Sequence, residues 1–198
     1  YHFWLRDYGA MYAVNVEGTR NVLEAAGAMG CSRIVHTSTV GCVGLPNERN
    51  GRIEPKDETA FIPEAQLANH YKRSKWQGEQ IALELARKGL PVVVVNPTAP
   101  FGPRDAKPTP TGQVIVDFLN GAMPAYLDTG WNVVHVRDVA AGHILAAKHG
   151  RVGERYIWGH AEGNWTMREA FAVLEEITSV RAPRRRIRTR PRKAPRRA

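Results

Sequence analysis

Tyr71 and Lys75 stand four residues apart in the stretch NHYKRSKWQGEQIALELA, at the start of a segment with helical periodicity. On a helix, side chains at that spacing share a face, with about 5–6 Å between their β-carbons. A free tyrosine, with a pKa of about 10, is a poor base at neutral pH, but a neighbouring ammonium favours the phenolate. The pair can therefore move a proton at a carbonyl or carbinol oxygen, or it can be only the polar face of an amphipathic helix. Two hydroxyls bear on the choice. Ser38 and Thr39 close the run SRIVHTST, and the carboxyl end of a strand in an open α/β sheet is where ligands bind. The alternative is that they only satisfy backbone groups as strand turns into loop.

These residues need elements to hold them. Met11, Val14, Val22, Leu23, Ala26 and Met29 recur at helical spacing before Gly30, so a helix is expected over 11–29. The β-branched run 32–38 reads as a buried strand, and the Gly/Pro/Asn-rich stretch 41–63 as loop. A helix over about 71–88 ends at Gly89, and VVVV at 92–95 is the next strand. The order helix, strand, loop, helix, strand, with strands apolar on both faces, gives an α/β fold with a parallel sheet covered by helices. Further on come a Pro-rich loop (96–112), a helix over 113–120, a strand over 132–136, a helix over 139–148 capped by Asp138, a strand near 155–158 and a helix over 167–178.

The net charge of +9 is uneven. Residues 181–198 hold ten of the 28 Lys and Arg and no acidic group, which leaves 18 basic against 19 acidic residues in 1–180. The near-neutral body argues against nucleic acid as the main partner. The Arg- and Pro-rich end buries too little apolar surface to offset ordering and is expected to be disordered. It reads as a basic arm for nucleic acid or anionic lipid, as a solvated tail, or as a reading-frame artefact. Cys31 and Cys42 form no CxxC pair or Cys/His cluster, so neither a metal nor a disulfide framework is expected, and a reducing cytoplasm is the default. No apolar run approaches the roughly 20 residues of a membrane span.

Five blocks carry a family resemblance: NVEGTRN at 15–21, HTST at 36–39 with Gly44, YKRSK at 71–75, NPTAPFGP at 96–103 and VHVRDV at 134–139. In that order they resemble the extended short-chain dehydrogenase/reductases, the family of NAD-dependent sugar epimerases and dehydratases and of dihydroflavonol reductases. The runs KPTPTG at 107–112 and MPAYLDTGWNVVHVRDVAAGH at 123–143 most resemble its hopanoid-associated sugar epimerase branch. The resemblance implies a Rossmann-like fold, NAD or NADP as cofactor, and a small-molecule substrate (a sugar, a nucleotide-sugar or a ketone); it also allows a homodimer. It makes Tyr71 the catalytic acid/base, Lys75 its partner and a ligand of the nicotinamide ribose, and Thr39 the hydroxyl of the triad. It places Asn15, Ser38, Asn96, Pro97 and Thr98 along the cofactor, and Arg104 and His135 on the substrate side.

The domain reading that follows has a partial NAD(P)-binding region over 1–100, a substrate-binding region with returning Rossmann elements over 101–180, and the basic tail over 181–198. A nicotinamide enzyme of this kind needs a Gly-rich turn between strand and helix for the pyrophosphate. The nearest approach, GAMG at 27–30, follows a helix and has Arg33 at the third glycine position. The first strands and the adenosine half of the site are therefore expected to lie outside this chain. NAD(P) binding by these 198 residues alone is expected to be weak, and the open sheet edge prone to aggregation. Two other functions stay open: a dihydroflavonol reductase-like, NADPH-dependent carbonyl reductase, and a nucleic-acid-binding protein that uses the Arg-rich end.

Overall fold

The computed structural model describes residues 7–44, 46–49 and 52–187, the side chains of 47–49, 52 and 53 excepted. Helix α1 (Gly9–Tyr12) runs through a π-helical turn (Ala13–Glu17) into α2 (Gly18–Ala28). Then follow β1 (Ile34–Thr37), a 3-10 turn (Val40–Cys42), the antiparallel hairpin β2 (Asn47–Arg49) and β3 (Arg52–Glu54), a second 3-10 turn (Glu64–Gln66), α3 (His70–Arg87) and β4 (Val92–Pro97). After β5 (Ala99–Phe101) come α4 (Pro110–Leu119), β6 (Ala125–Leu127), β7 (Gly130–His135) and α5 (Val136–His149). The order ends with β8 (Arg155–Trp158), β9 (Asn164–Thr166), α6 (Met167–Thr178) and β10 (Arg185–Ile187).

The main sheet is parallel, in the order β1-β4-β8, with Ile34 opposite Val92 and Val94 opposite Arg155. Its centre is VVVV at 92–95, fully buried as a strand with helices on both faces must be. Val92 and Val94 pack with Leu23, Ile81, Ala82, Leu85 and Ala86, whereas Val93 and Val95 face Ala146, Val35, Tyr156 and Trp158. The period-2 alternation of the strand thus divides it between α2 and α3 on one side and α5 on the other. The chain is α/β with a parallel, Rossmann-like sheet. Among the described residues β1 is an edge strand, and beside it Val14 and Val22 are about two-thirds exposed, at 70% and 68%.

A smaller sheet, β5-β7-β9, pairs β5 parallel and β9 antiparallel to β7. Beside it Phe118 of α4 stacks on Phe171 of α6 with ring centroids 5.6 Å apart, in a cluster with Met167 and Ala182. Thr98 joins the two sheets. Its amide donates to Trp158 O of β8 at 3.0 Å, and its hydroxyl donates to Asn132 Oδ1 of β7, also at 3.0 Å.

Several expectations are revised. The helix expected over 11–29 contains the π turn, which presents the Asn15 carbonyl to α3, where any β-carbon on Gly78 would collide with it. Gly78 is thus a glycine for close approach, although glycine costs a helix interior about 1 kcal/mol. The cap of α5 is His135, whose Nδ1 accepts from the Arg137 amide at 3.2 Å; Asp138 lies inside the first turn, where its charge complements the helix dipole. The stretch expected to be disordered from 181 begins inside the fold. Ala182 is buried, and β10 pairs parallel with β6, Arg185 opposite Ala125. Strand pairing uses the backbone, so exposed arginines do not prevent it. Residues 188–198 lie outside the described residues. No helix among the described residues is long and apolar enough to cross a membrane.

Candidate active site

Helix α3 opens on a side-chain cap: Asn69 Oδ1 accepts from the Lys72 amide at 2.8 Å. His70 is fixed by stacking on Tyr8 (centroids 4.0 Å apart) and by a 3.1 Å bond between its Nδ1 and the Tyr12 hydroxyl. Tyr71 follows, half-buried. Its carbonyl accepts from Ser74 Oγ at 3.0 Å, and Ser74, fully buried, in turn accepts from Asn15 Nδ2 at 3.0 Å. Asn15 thus reaches the first turn of α3 through Ser74.

Lys75, one turn beyond Tyr71, points at the end of β1, where its Nζ donates to Thr37 O at 2.8 Å. Burial pulls its pKa below the usual lysine value, against the raising influence of Cys42 and Glu79. Next along the chain, Ser38 is buried and donates to Cys42 Sγ at 3.4 Å, while the Thr39 hydroxyl caps the 3-10 turn by accepting from the Gly41 amide at 3.2 Å. A β-carbon on Gly41 would touch Lys72, so this turn packs directly on the start of α3. Lys75 therefore reaches the end of β1, and the Thr39 turn packs on the start of α3, where Tyr71 lies one turn before Lys75. Ser38 lies just before this turn, its hydroxyl facing Cys42. Burial, first, and Glu79, second, push the Cys42 thiol up to about 12, so it is no nucleophile at neutral pH.

Two further groups escaped the sequence reading. The His143 Nδ1 bonds the Val139 carbonyl at 2.7 Å and must carry the proton, which leaves Nε2 to accept from the Thr37 hydroxyl at 2.9 Å. His36 has a buried Nε2 with no hydrogen-bond partner. Burial, and then the Lys75 ammonium, lower its pKa from 6.5 to about 4. The folded state thus keeps His36 neutral where the unfolded chain would protonate it. The resulting stability is complete above pH 6.5 and is lost as pH falls toward 4, by about 3 kcal/mol for a shift of this size. Urea titrations at pH 7 and pH 4.5 should show this loss in the wild type and a much smaller one in His36→Phe; equal losses would remove His36 as the cause.

Asn96 is fully buried at the end of β4; its Nδ2 donates to Thr39 O at 3.0 Å and to Glu79 Oε2 at 2.6 Å. Its side chain therefore supports the Thr39 turn from behind, while Pro97 and Thr98 continue the strand toward the second sheet. Glu79 is itself fully buried and ion-paired with Arg155 at 3.0 Å. Arg155 also donates to the carbonyls of Glu58 (2.8 Å) and Ala60. Ser74, Glu79, Arg155 and His143 all read as ordinary helix or strand residues in sequence. The one available signal was that Glu79 continues the i, i+4 stripe from Tyr71 and Lys75 on a helix face where Gly78 and Ala82 are also buried.

His135 ends β7 and Arg104 follows the end of β5 in the second sheet. His135 is exposed opposite Phe101, and a β-carbon on Gly102 would lie 3.6 Å from its Nε2. Arg104, two residues on, is exposed with φ 73, left-handed backbone that a non-glycine residue seldom adopts. Among the described residues no cluster of His, Cys, Asp and Glu could hold a metal.

Comparison with known proteins extends this geometry. The model of the NAD dependent epimerase/dehydratase family matches residues 2–159. A Synechocystis protein named "Putative dihydroflavonol 4-reductase" is 44% identical over 188 residues, 93% of this chain and 53% of the relative. Sterol demethylase protein B of Methylococcus capsulatus is 36% identical over 178 residues, 90% of this chain and 52% of that one. The chain spans about half the length of these curated relatives. Of solved structures, gox2253 superposes with a TM-score of 0.87 at 44% identity, covering 95% of this chain and 56% of its own. A nucleoside-diphosphate-sugar epimerase from Pseudomonas aeruginosa gives 0.76 at 27% identity, covering 88% and 57%.

Proposed function

We propose, for a chain that belongs to the NAD dependent epimerase/dehydratase family, that Tyr71, Lys75 and Thr39 perform acid–base chemistry at a substrate oxygen beside a nicotinamide cofactor. The observation that carries this reading is the 2.8 Å bond from Lys75 Nζ to Thr37 O. It anchors the ammonium between β1 and α3, one turn from Tyr71, and leaves its other N–H groups for a phenolate and a ribose hydroxyl. Tyr71 gives or takes the proton at the carbonyl or carbinol oxygen, Lys75 favours its phenolate, and the Thr39 hydroxyl orients the same oxygen.

The residues at the end of β1 fit the nicotinamide-ribose end of NAD or NADP. Lys75, Thr37, His36 and Thr19 line a groove of about 330 Å³ along the edge strand β1, whose remaining lining, Val14, Val22, Leu23, Ile34 and Val35 with Gly18, is mostly apolar. The cofactor, when bound, supplies the carbon that gives or accepts hydride. Asn15 and the 96–98 backbone are assigned to its side, and Arg104 and His135, after β5 and at the end of β7 in the second sheet, to the substrate.

For the substrate we propose a sugar or nucleotide-sugar, with a hopanoid-associated sugar epimerase as the finer assignment, resting on the runs at 107–112 and 123–143. A dihydroflavonol reductase-like carbonyl reductase is the second reading. It is favoured by the 44% identity to the Synechocystis protein and by 32% identity to cinnamoyl-CoA reductase 2 of Medicago truncatula. The two differ in balance: an epimerase inverts a sugar carbon with no net change in nicotinamide absorbance, whereas a reductase consumes NADPH in step with ketone. Assays with nucleotide-sugars and with a dihydroflavonol, each with NAD(H) and NADP(H), separate them. Protein shown by calorimetry to hold cofactor, yet inert toward both substrate classes, would sink the proposal.

A further inference from the structure

A carboxylate only accepts hydrogen bonds, so Glu79 forces the buried Asn96 amide to turn its NH2 group toward it. That same nitrogen then reaches the Thr39 carbonyl at 3.0 Å, while Asn96 Oδ1 is left buried without a partner. An amide held with its acceptor orphaned is being oriented by its neighbour and not by its own needs. The other carboxylate oxygen is held by Arg155 Nη1 at 3.0 Å, so Glu79 cannot swing away. The Thr39 carbonyl accepts a second bond from the Cys42 amide at 3.0 Å, which closes the turn whose cap is the Thr39 hydroxyl.

We propose that Glu79 is a positioning residue: through the Asn96 amide it fixes the Thr39 carbonyl, and so the place of the Thr39 hydroxyl relative to Tyr71 and Lys75. This rests on the reading of Thr39 as a substrate-facing hydroxyl. One helix, α3, then carries the acid–base pair and, two turns beyond Tyr71, the strut for the hydroxyl opposite. The spacing of all three groups is set by helical rise.

Glu79→Gln keeps the volume but puts one oxygen and one NH2 where two oxygens stood. Arg155 takes the oxygen, the NH2 faces Asn96, and Asn96 turns Oδ1 to meet it and releases Thr39. Exchange of the Asn96 side-chain amide and the Cys42 backbone amide, followed by NMR, should accelerate at least about tenfold, while the Val93–Val95 amides keep their protection. Unchanged exchange at Asn96 would overturn the proposal, as would acceleration of Val93–Val95 in step with it, since that marks mere stabilisation. Should Glu79→Gln fail to fold, the wild type decides: a scalar coupling across the bond from Asn96 Nδ2 to the Thr39 carbonyl carbon is expected, and its absence overturns the orientation. In turnover, kcat should fall about tenfold or more with KM within about twofold; released Thr39 with kcat unchanged would refute the role. A wild type without turnover refutes the functional reading alone, because the exchange measurements still decide what Glu79 holds.

Discussion

Tyr71→Phe is expected to lower kcat about 10²- to 10⁴-fold, the range for removing a general acid–base group, with cofactor affinity within about twofold. The phenyl ring keeps the volume of the side chain and removes only the hydroxyl. The backbone and neighbours that set the start of α3 are untouched: the Asn69 cap, the Ser74 bond to the Tyr71 carbonyl, the Asn15 bond to Ser74 and the packing of His70. The loss should therefore fall on the chemical step and not on KM. Steady-state rates with the productive substrate and calorimetry with cofactor check it. A variant that retains more than about a tenth of wild-type kcat would take the proton transfer away from Tyr71.

The largest stability effect is expected from Arg155→Met, a loss of about 3–5 kcal/mol by urea unfolding at pH 7. Glu79 is wholly buried, and Arg155 supplies its only opposite charge among the described ion pairs. Removing one partner strands a charge in the interior, and methionine fills the space without answering it. The two carbonyls that Arg155 also serves, Glu58 and Ala60, would lose their donor in the same step, which loosens the loop against β8. By contrast, breaking the exposed pair of Lys88 with Glu84 should change stability far less, because solvent screens it. A loss below about 1 kcal/mol for Arg155→Met would mean that the pair gives nothing beyond its own desolvation.

Much of this architecture was legible in the sequence, for identifiable reasons. The run VVVV at 92–95 has no polar face and could only be a strand covered on both sides, which is what β4 is. The last helix, expected over 167–178, is α6 at those bounds, because Thr166 and Glu169 form a capping box that marks its start. Strand β5 stayed hidden among prolines, since Pro100 within it reads as loop. Strand β10 stayed hidden for a different reason: arginines report solvent exposure, and pairing with β6 needs only backbone. At the site, the spacing of Tyr71 and Lys75 shows in any alignment-free reading, whereas Glu79 and Arg155 are 76 residues apart and meet only through the fold. A lone glutamate on a helix looks solvated until the helix face that buries it is known.

The π turn at Ala13–Glu17 has a consequence for how this chain tolerates change in length. A π turn holds one residue more than the α-helical turn it replaces. Deleting one residue there would restore regular winding and leave the segments on either side nearly in register, so that Tyr8 and Tyr12 stay beside His70. The same deletion within α2 would instead turn every residue before it by about 100° relative to the rest of the fold. The fold thus has one place along this helix where a change of length by one residue is absorbed.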